Sequence, residues 1–366
     1  MCCSIVSPSL LQSIADDESL DGATRESALY TLQSTEALRQ ATDLQKAAEA
    51  VSTGHLDFRC AIYSMSGKAY DASGTAYAPL PGIPLRTSEE PPTFDEDVNN
   101  CLEGLRMTYN FYKEVFGRNS IDGNGMQINA SVFYAIRYGN AMWVPNAKQM
   151  VFGSGDGNTR FGRYAGIFKQ SCFTSSLDVI GHELTHAVTE STAGLKYEGQ
   201  AGALNESVSD VFGCMIKQYA LKQKASEADW LVGMNIIYEH VFPDTPHMRS
   251  LADPESDKVI GKQPKHMKSK YYRNENPQAS DHGGVHTNSG VPNHAFYKIA
   301  VALGGFSWER AGKVWYATLT DSELRKNPYA KFELFARLTL KHAESLFPGS
   351  EVVEAVRQAW RDVGVL

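Results

Sequence analysis

Residues 178–190 read DVIGHELTHAVTE. Ile180, Leu184, Ala187 and Val188 recur at helical spacing, so one side of this stretch is apolar and belongs against a core. Each residue of a helix turns about 100°, which sets His182 and His186 about 40° apart, one turn above the other. Two imidazoles on one face at that separation can share a zinc ion, and Glu183 beside them can reach a water held there. Ser175-x-x-Asp178 reads as a capping box that starts the helix. The same spacing would also suit two histidines on a solvated face, so the motif needs partners elsewhere in the chain.

A catalytic zinc takes three protein ligands and keeps one position open for water. Twenty residues after His186 stands Glu206, within GALNESVSD at 202–210. Glu206 and Asp210 are i, i+4 on a second helical pattern and face one way. Glu206 can complete a His₂Glu set. Asp210 can then accept the other ring N–H of a histidine and fix its tautomer. Leu204, Val208, Val211, Phe212, Met215 and Ile216 supply that helix with an apolar stripe. A further cluster, DHGGVHTNSG at 281–290, places histidines beside Asp281 in a glycine-rich stretch. A histidine oriented by a carboxylate can donate a hydrogen bond to a developing oxyanion, although a polar loop would have the same composition.

The flanking chain reads as strand and helix first and helix afterwards. Cys60–Ser64 and Met126–Tyr138 carry strand-like alternation. Val98–Phe116 carries a helical stripe, and GSGDG at 153–157 is a turn. Beyond residue 177 the patterns are helical: Pro292–Leu303, stopped by Gly304–Gly305, then Trp308–Leu319, Lys331–Leu346 and Ser350–Val363. The first 50 residues differ in texture. A short helix starts near Ser7–Ser9, a long Ala-, Leu- and Gln-rich helical pattern covers 22–50, and Ser52–Gly54 breaks it.

Composition closes off other classes. Of 366 residues, 42% are hydrophobic, enough for a core rather than a disordered chain. The formal charge of −7, from 35 basic and 42 acidic residues, argues against a nucleic-acid binder. No apolar run approaches the roughly 18 residues of a membrane span. Six cysteines, at 2, 3, 60, 101, 172 and 214, include no C-x-x-C, so they read as scattered core thiols rather than a zinc knuckle or redox pair. The vicinal pair Cys2–Cys3 leaves acylation, or a metal contact in a precursor, open. The first basic residue is Arg25, and no signal-peptide pattern is legible.

HELTH, GALNESVSD and DHGGVHTNSGVPNHAFY, in this order and spacing, resemble the thermolysin-like zinc endopeptidases over roughly residues 60–366. The resemblance implies an α+β fold of two catalytic domains, 61–192 (mixed) and 193–366 (helical), with the cleft between them. It implies one catalytic zinc on His182, His186 and Glu206, with Glu183 as general base. Asp210 would support His182, and Asn205 would support His186. Tyr197 and His286, the latter oriented by Asp281, would stabilise the oxyanion. Asn140 and the backbone of Ala141 match a substrate-clamping strand, and Arg249 matches an arginine that binds a substrate carbonyl. Val179, Val232, Ile236 and Met248 match an apolar pocket, which implies cleavage on the amino side of bulky hydrophobic residues.

Residues 1–50 resemble the short propeptides of the protealysin-type branch, with 51–60 as a linker and processing near 48–60. That branch carries Ser-Ile-x-Pro-Pro-Tyr near its start. Here Ser4-Ile5-Val6-Ser7-Pro8-Ser9 keeps part of it, with serines at 7 and 9. The propeptide would inhibit its own enzyme. Asp178 and Asp229 match the family's double calcium site, but Lys217, Leu231 and Met234 stand where carboxylates are needed. No double site is therefore expected, while a single calcium elsewhere stays open. The expected protein is a monomer with peptide substrates, secreted by family resemblance. A cytoplasmic, permanently inhibited form is the alternative.

Overall fold

The structure, a computed structural model, describes residues 3–44, 57–68, 80–159, 162–163 and 166–366. It opens with a two-residue strand, β1 (Cys3–Ser4), and two helices, α1 (Pro8–Asp16) and α2 (Gly22–Leu44). Ser7 caps α1 by accepting the Leu10 N–H at 3.1 Å, and Pro8 fills the first turn, where its missing N–H costs nothing. Leu11 and Ile14 turn one face of α1 into the main core, where Ala28 of α2 joins them. The rest of the expected 22–50 helix, the 51–56 linker and most of the expected processing region lie outside the described residues.

The next part of the chain contributes β2 (Cys60–Ser64), β3 (Ile83–Thr87), α3 (Glu96–Phe116), β4 (Ile128–Val132), β5 (Ala141–Val144) and β6 (Gln149–Phe152). These strands and β1 make one sheet in the order β1-β5-β6-β4-β2-β3. Its inner strands are buried on both faces, so β5 and β6 read as short apolar runs without alternation. The expected Met126–Tyr138 strand is corrected to Ile128–Val132. Phe133 and Ala135 take φ values of 58° and 50°, which turn the chain out of the sheet. Buried packing of Tyr134 on Tyr138, 5.0 Å between rings, takes over from pairing there.

Two short strands, β7 (Asn158–Thr159) and β8 (Gly162–Arg163), precede α4 (Cys172–Ser175), α5 (Leu177–Ser191) and α6 (Gly199–Leu221). After them come β9 (Leu231–Val232) and β10 (Arg249–Ser250), then α7 (Ser280–Asn288), α8 (Gly290–Leu303), α9 (Ala311–Leu319), α10 (Ser322–Arg325), α11 (Phe332–Leu346) and α12 (Glu351–Asp362). The fold is thus mixed first and mainly helical afterwards. Tyr112 and Phe116 of α3 meet Phe212 and Tyr316 in one aromatic cluster that ties the two parts together.

Helix α5 carries HELTH between the sheet and α6. Its buried run extends from Asp178 to Thr189. Close crossing of α5 and α6 depends on glycine. A Cβ at Gly213 would lie 2.5 Å from the Asp178 carbonyl oxygen, and one at Gly181 would lie 3.2 Å from the Gly213 Cα. That approach brings Glu206 to the histidines. The expected capping box is not formed. Ser175 belongs to α4 and Ser176 stands at the α5 N-cap without a side-chain bond. Asp178 turns instead to its neighbour Val179 N–H and to the Lys217 ammonium.

One buried carboxyl joins α2 to the segments that follow β6. Asp156 Oδ1 accepts the N–H groups of Ile167 and Phe168 at 2.9 and 2.6 Å, and Oδ2 accepts the Ser27 hydroxyl at 2.8 Å. Burial outweighs these bonds and raises its pKa from 3.8 to about 6. The folded state therefore holds a proton that the unfolded chain releases between pH 4 and 6. The contribution of this group to stability is complete below about pH 4 and is lost as pH rises through 6, by on the order of 3 kcal/mol. In Asp156→Asn that slope should vanish. Parallel denaturation profiles for the two proteins from pH 4 to 7 would contradict it.

Candidate metal centre

His182 and His186 are both buried, and their outer nitrogens are already engaged. His182 Nδ1 lies 2.8 Å from Asp210 Oδ1, a carboxylate that only accepts. His186 Nδ1 lies 2.8 Å from Asn205 Oδ1 and 3.1 Å from the Ser209 hydroxyl. The Asn205 amide is oriented by its Nδ2, which donates to the Leu195 carbonyl at 3.2 Å. Both histidines thus carry their proton on Nδ1 and present a lone pair on Nε2. Burial favours the neutral form of His186, whose pKa falls to about 4.

The two Nε2 atoms face each other at 3.0 Å. Two lone pairs at that distance repel unless a cation lies between them. Glu206 supplies the third donor, its oxygens 3.5 Å from His182 Nε2 and 3.4 Å from His186 Nε2. Its Oε2 is buried with no hydrogen-bond partner. Among the described residues, His182, His186 and Glu206 are the one group of three donors close enough to hold a metal. Two neutral imidazoles and a carboxylate suit zinc, and each imidazole is braced from behind as zinc histidines are.

Glu183 lies on the same helix, fully buried. Its Oε2 accepts the Trp143 N–H at 2.9 Å, and Oε1 has no partner. Burial first, and the Glu206 carboxylate second, push its pKa well above the ordinary carboxyl range. On the far side, His286 Nδ1 is 2.5 Å from Asp281 Oδ1, while the His286 N–H donates to Asp281 Oδ2 at 2.9 Å. This double grip needs the left-handed run Asp281–Gly284 at the start of α7. Only glycine fits its last two positions, since a Cβ at Gly283 would meet the Glu275 carbonyl oxygen at 2.6 Å. Burial opposes a charge on His286, but Glu206 and Asp281 outweigh it and raise its pKa to about 9. Tyr197 donates its hydroxyl to Glu206 and lies 3.0 Å from His286 Nε2.

The cleft beside these groups is filled by the chain's own residues 3–6. β1 pairs antiparallel with β5, Cys3 opposite Trp143 and Ser4 opposite Met142. The Ser4 carbonyl oxygen lies 2.9 Å from His286 Nε2. Ile5 N–H donates to the Ala141 carbonyl at 3.2 Å, and the Ile5 carbonyl accepts from Arg249 Nη1 at 3.0 Å. Asn140 clamps Val6 from both sides, accepting its N–H at 3.0 Å and donating to its carbonyl at 3.1 Å. Ile5 and Val6 are fully buried, in one core cluster with Val179, Val232, Ile236 and Met248. The serines at 7 and 9 stand beyond this clamp, so the departures from the branch's element fall outside it.

Comparison with known proteins decides the family. The profile described as Thermolysin metallopeptidase, catalytic domain, matches residues 12–190, and that described as Thermolysin metallopeptidase, alpha-helical domain, matches 193–365. The chain belongs to the thermolysin metallopeptidases. It is 41% identical to Protease PrtS of Photorhabdus sp. (strain Az29), over 99% of this chain and 91% of that one. It is 45% identical to an Extracellular metalloprotease of Pectobacterium carotovorum subsp. carotovorum, over 78% of each. Its structure is similar to the precursor of protealysin, a metalloproteinase from Serratia proteamaculans, with a TM-score of 0.80, 40% identity and full coverage of both chains. The family is zinc-dependent, and the protein is accordingly a zinc endopeptidase with a precursor-type architecture.

Of the residues singled out in the sequence, His182, Glu183, His186, Tyr197, Asn205, Glu206, Asp210, Arg249, Asp281 and His286 come together around the two facing imidazoles. Asn140 and Ala141 hold the N-terminal strand, and Val179, Val232, Ile236 and Met248 lie in the main core. Four others in the peptidase were not foreseen. Trp143 presents its backbone N–H to Glu183. Ser209 approaches His186, one helical turn after Asn205, a spacing that was available to be read. Asn293 Nδ2 donates to Asp210 Oδ2 at 2.9 Å, and Gln263 Nε2 donates to the His286 carbonyl at 2.6 Å. Neither signals itself in sequence, since each lies far along the chain from its partner.

Proposed function

We propose that one zinc, held by His182, His186 and Glu206, is the catalytic metal and that Glu183 is the general base. The opposed Nε2 atoms, with the unpartnered buried Glu206 Oε2 beside them, carry this reading. Zinc bound there supplies a Lewis acid for the scissile carbonyl and lowers the pKa of a water toward about 7. Glu183 takes the proton of the attacking water and passes it to the leaving nitrogen. His286 and Tyr197 donate to the developing oxyanion, with Asp281 fixing the His286 ring. Asp210 and Asn205 hold the tautomers of His182 and His186. Asn140, the Ala141 backbone and Arg249 bind an extended peptide as they bind residues 5 and 6 here. Val179, Val232 and Met248 line an apolar pocket that favours a bulky hydrophobic residue after the cut.

Residues 1–50 then form an intramolecular inhibitory propeptide, 51–60 a processing linker, 61–192 the first catalytic domain and 193–366 the second. A single extended-peptide cleft needs no second subunit, so the reading is a monomer, secreted like the relative named extracellular. Among the described residues no helix is long and apolar enough to cross a membrane. The test is peptide cleavage by the processed chain before hydrophobic residues, lost in o-phenanthroline and restored by zinc. Activity indifferent to the chelator would refute the metal's role.

Calcium at the double site is replaced, in this reading, by Lys217. Its ammonium lies 3.3 Å from Asp178, 2.9 Å from Asp229 and 2.7 Å from the Leu231 carbonyl oxygen. Burial opposes its charge, but Asp178 and Asp229 raise its pKa above the ordinary lysine value. Lys217→Ala should lose about 3 kcal/mol in urea denaturation, near the lower end for a broken buried pair because Asp229 is partly exposed. Millimolar calcium should leave the Tm of the parent protein unchanged at this site. A calcium-dependent rise in the parent that Asp178→Asn abolishes would contradict it.

A further inference from the structure

The strand in the cleft has the polarity of a substrate. At Ser4–Ile5 the carbonyl oxygen points to His286 Nε2 at 2.9 Å, the side of the oxyanion donors. The Ile5 N–H donates to the Ala141 carbonyl at 3.2 Å, on the strand whose Trp143 N–H donates to Glu183 Oε2, and the Ile5 amide counts among the groups that lower the Glu183 pKa against burial. The residue after the bond, Ile5, is a fully buried aliphatic side chain. Arg249 and Asn140 fix the two residues that follow. A strand laid in the opposite direction would set its nitrogen toward His286 and its carbonyl toward Glu183, and could not be cut. This one presents a peptide bond with its acceptor on the donors and its leaving nitrogen on the proton carrier.

We infer that Ser4–Ile5 is a cleavage site of the chain's own active centre, cut in cis in the intact precursor. The inference rests on the peptidase reading above. Water adds to the Ser4 carbonyl carbon and the C–N bond to Ile5 breaks. A water proton travels through Glu183 to the Ile5 nitrogen. The products are a Ser4 carboxylate and an Ile5 α-ammonium, with no other reactant. The two sides of the cut are held differently. Ile5 and Val6 keep the Arg249, Ala141 and Asn140 bonds and continue into α1, which is docked through Leu11 and Ile14. The piece ending at Ser4 keeps a two-residue pairing with β5 and the Ser4 hydroxyl's bonds to the Val6 carbonyl and Arg39, at 3.2 and 3.4 Å, but its carbonyl becomes a carboxylate beside Glu206. It therefore leaves, and the inhibitor remains seated with a trimmed end. Trimming precedes and is separate from removal of the whole segment.

The test uses the full chain, purified in chelator and then given zinc, and follows intact mass and the N-terminal residue. The expected result is loss of the residues up to Ser4, exposing Ile5, with a first-order rate unchanged over a 100-fold range of protein concentration. Glu183→Gln should slow it by about 10²–10⁴-fold. In parallel, full-length Ile5→Asp, whose carboxylate cannot stay in the buried position, reports peptidase activity on a hydrophobic reporter peptide. An intact N-terminus in the parent alongside an active Ile5→Asp chain overturns the inference and leaves the peptidase reading standing. Inactivity of both proteins with zinc bound overturns both. Trimming whose rate rises with protein concentration overturns the cis step.

Discussion

Glu183→Gln should retain zinc and lose peptide hydrolysis by about 10²–10⁴-fold in kcat, the usual worth of a positioned general base. The substitution is close to isosteric, and an amide oxygen can still accept the Trp143 N–H that holds Glu183 Oε2 at 2.9 Å. What it removes is the proton-accepting function of the buried Oε1, which meets no protein partner. The side chain is not a metal donor in this geometry, so metal content should match that of the parent. The loss should fall on kcat rather than on KM, because Arg249, Asn140 and the Ala141 backbone, which hold residues 5 and 6 here, make those bonds independently of Glu183. The measurement pairs zinc analysis with steady-state kinetics on a peptide carrying Leu or Ile after the cut. Full zinc content with near-parent kcat would remove Glu183 from the proton path.

How far the sequence discloses this centre depends on how local each part is. HELTH and GALNESVSD each lie on one helix, and a period of 3.6 residues fixes which side chains share a face. His182, His186, Glu206 and Asp210 are therefore legible as types and directions. The close crossing that joins the two helices rests on Gly181 and Gly213, and nothing in their composition states what they approach. β5 is harder to read, because AMWV is a four-residue apolar run without alternation and enters by resemblance rather than by pattern. The overlong strand at Met126–Tyr138 has the opposite cause. Its aromatic residues suit a strand, yet Phe133 adopts a left-handed φ that its residue type rarely takes. β1 is two residues long, so its pairing is a tertiary event with no sequence period. The left-handed run at Asp281–Gly284 is half legible, since its two glycines are visible but the conformations of Asp281 and His282 are not.

Asp210 is the residue on which the largest stability effect is expected. Burial alone would raise its pKa, but Arg249 and His182 hold it well below the usual carboxylate range. One oxygen meets His182 Nδ1 and Arg249 Nη2, both at 2.8 Å. The other meets Arg249 Nε at 3.0 Å and Asn293 Nδ2 at 2.9 Å. Asp210→Ala would leave a fully buried guanidinium without its counter-ion, which costs about 3–5 kcal/mol. It would also free the His182 ring, weakening zinc by about 10–100-fold. Asn205→Ala provides the contrast. It removes a neutral bond to His186 that Ser209 can partly replace, so its stability loss should be about 1 kcal/mol. Asp210→Asn keeps an acceptor for His182 but not the charge, which separates the two effects should Asp210→Ala fail to fold. Denaturation midpoints and competitive chelation measure both quantities, and equal losses for Asp210→Ala and Asn205→Ala would refute the ranking. A third consequence ties the metal site to the N-terminal segment. Arg249 also holds the Ile5 carbonyl, so an arginine released from Asp210 loses its aim at the N-terminal strand. The Asp210→Asn precursor should therefore release its N-terminal segment more readily than the parent, even at saturating zinc.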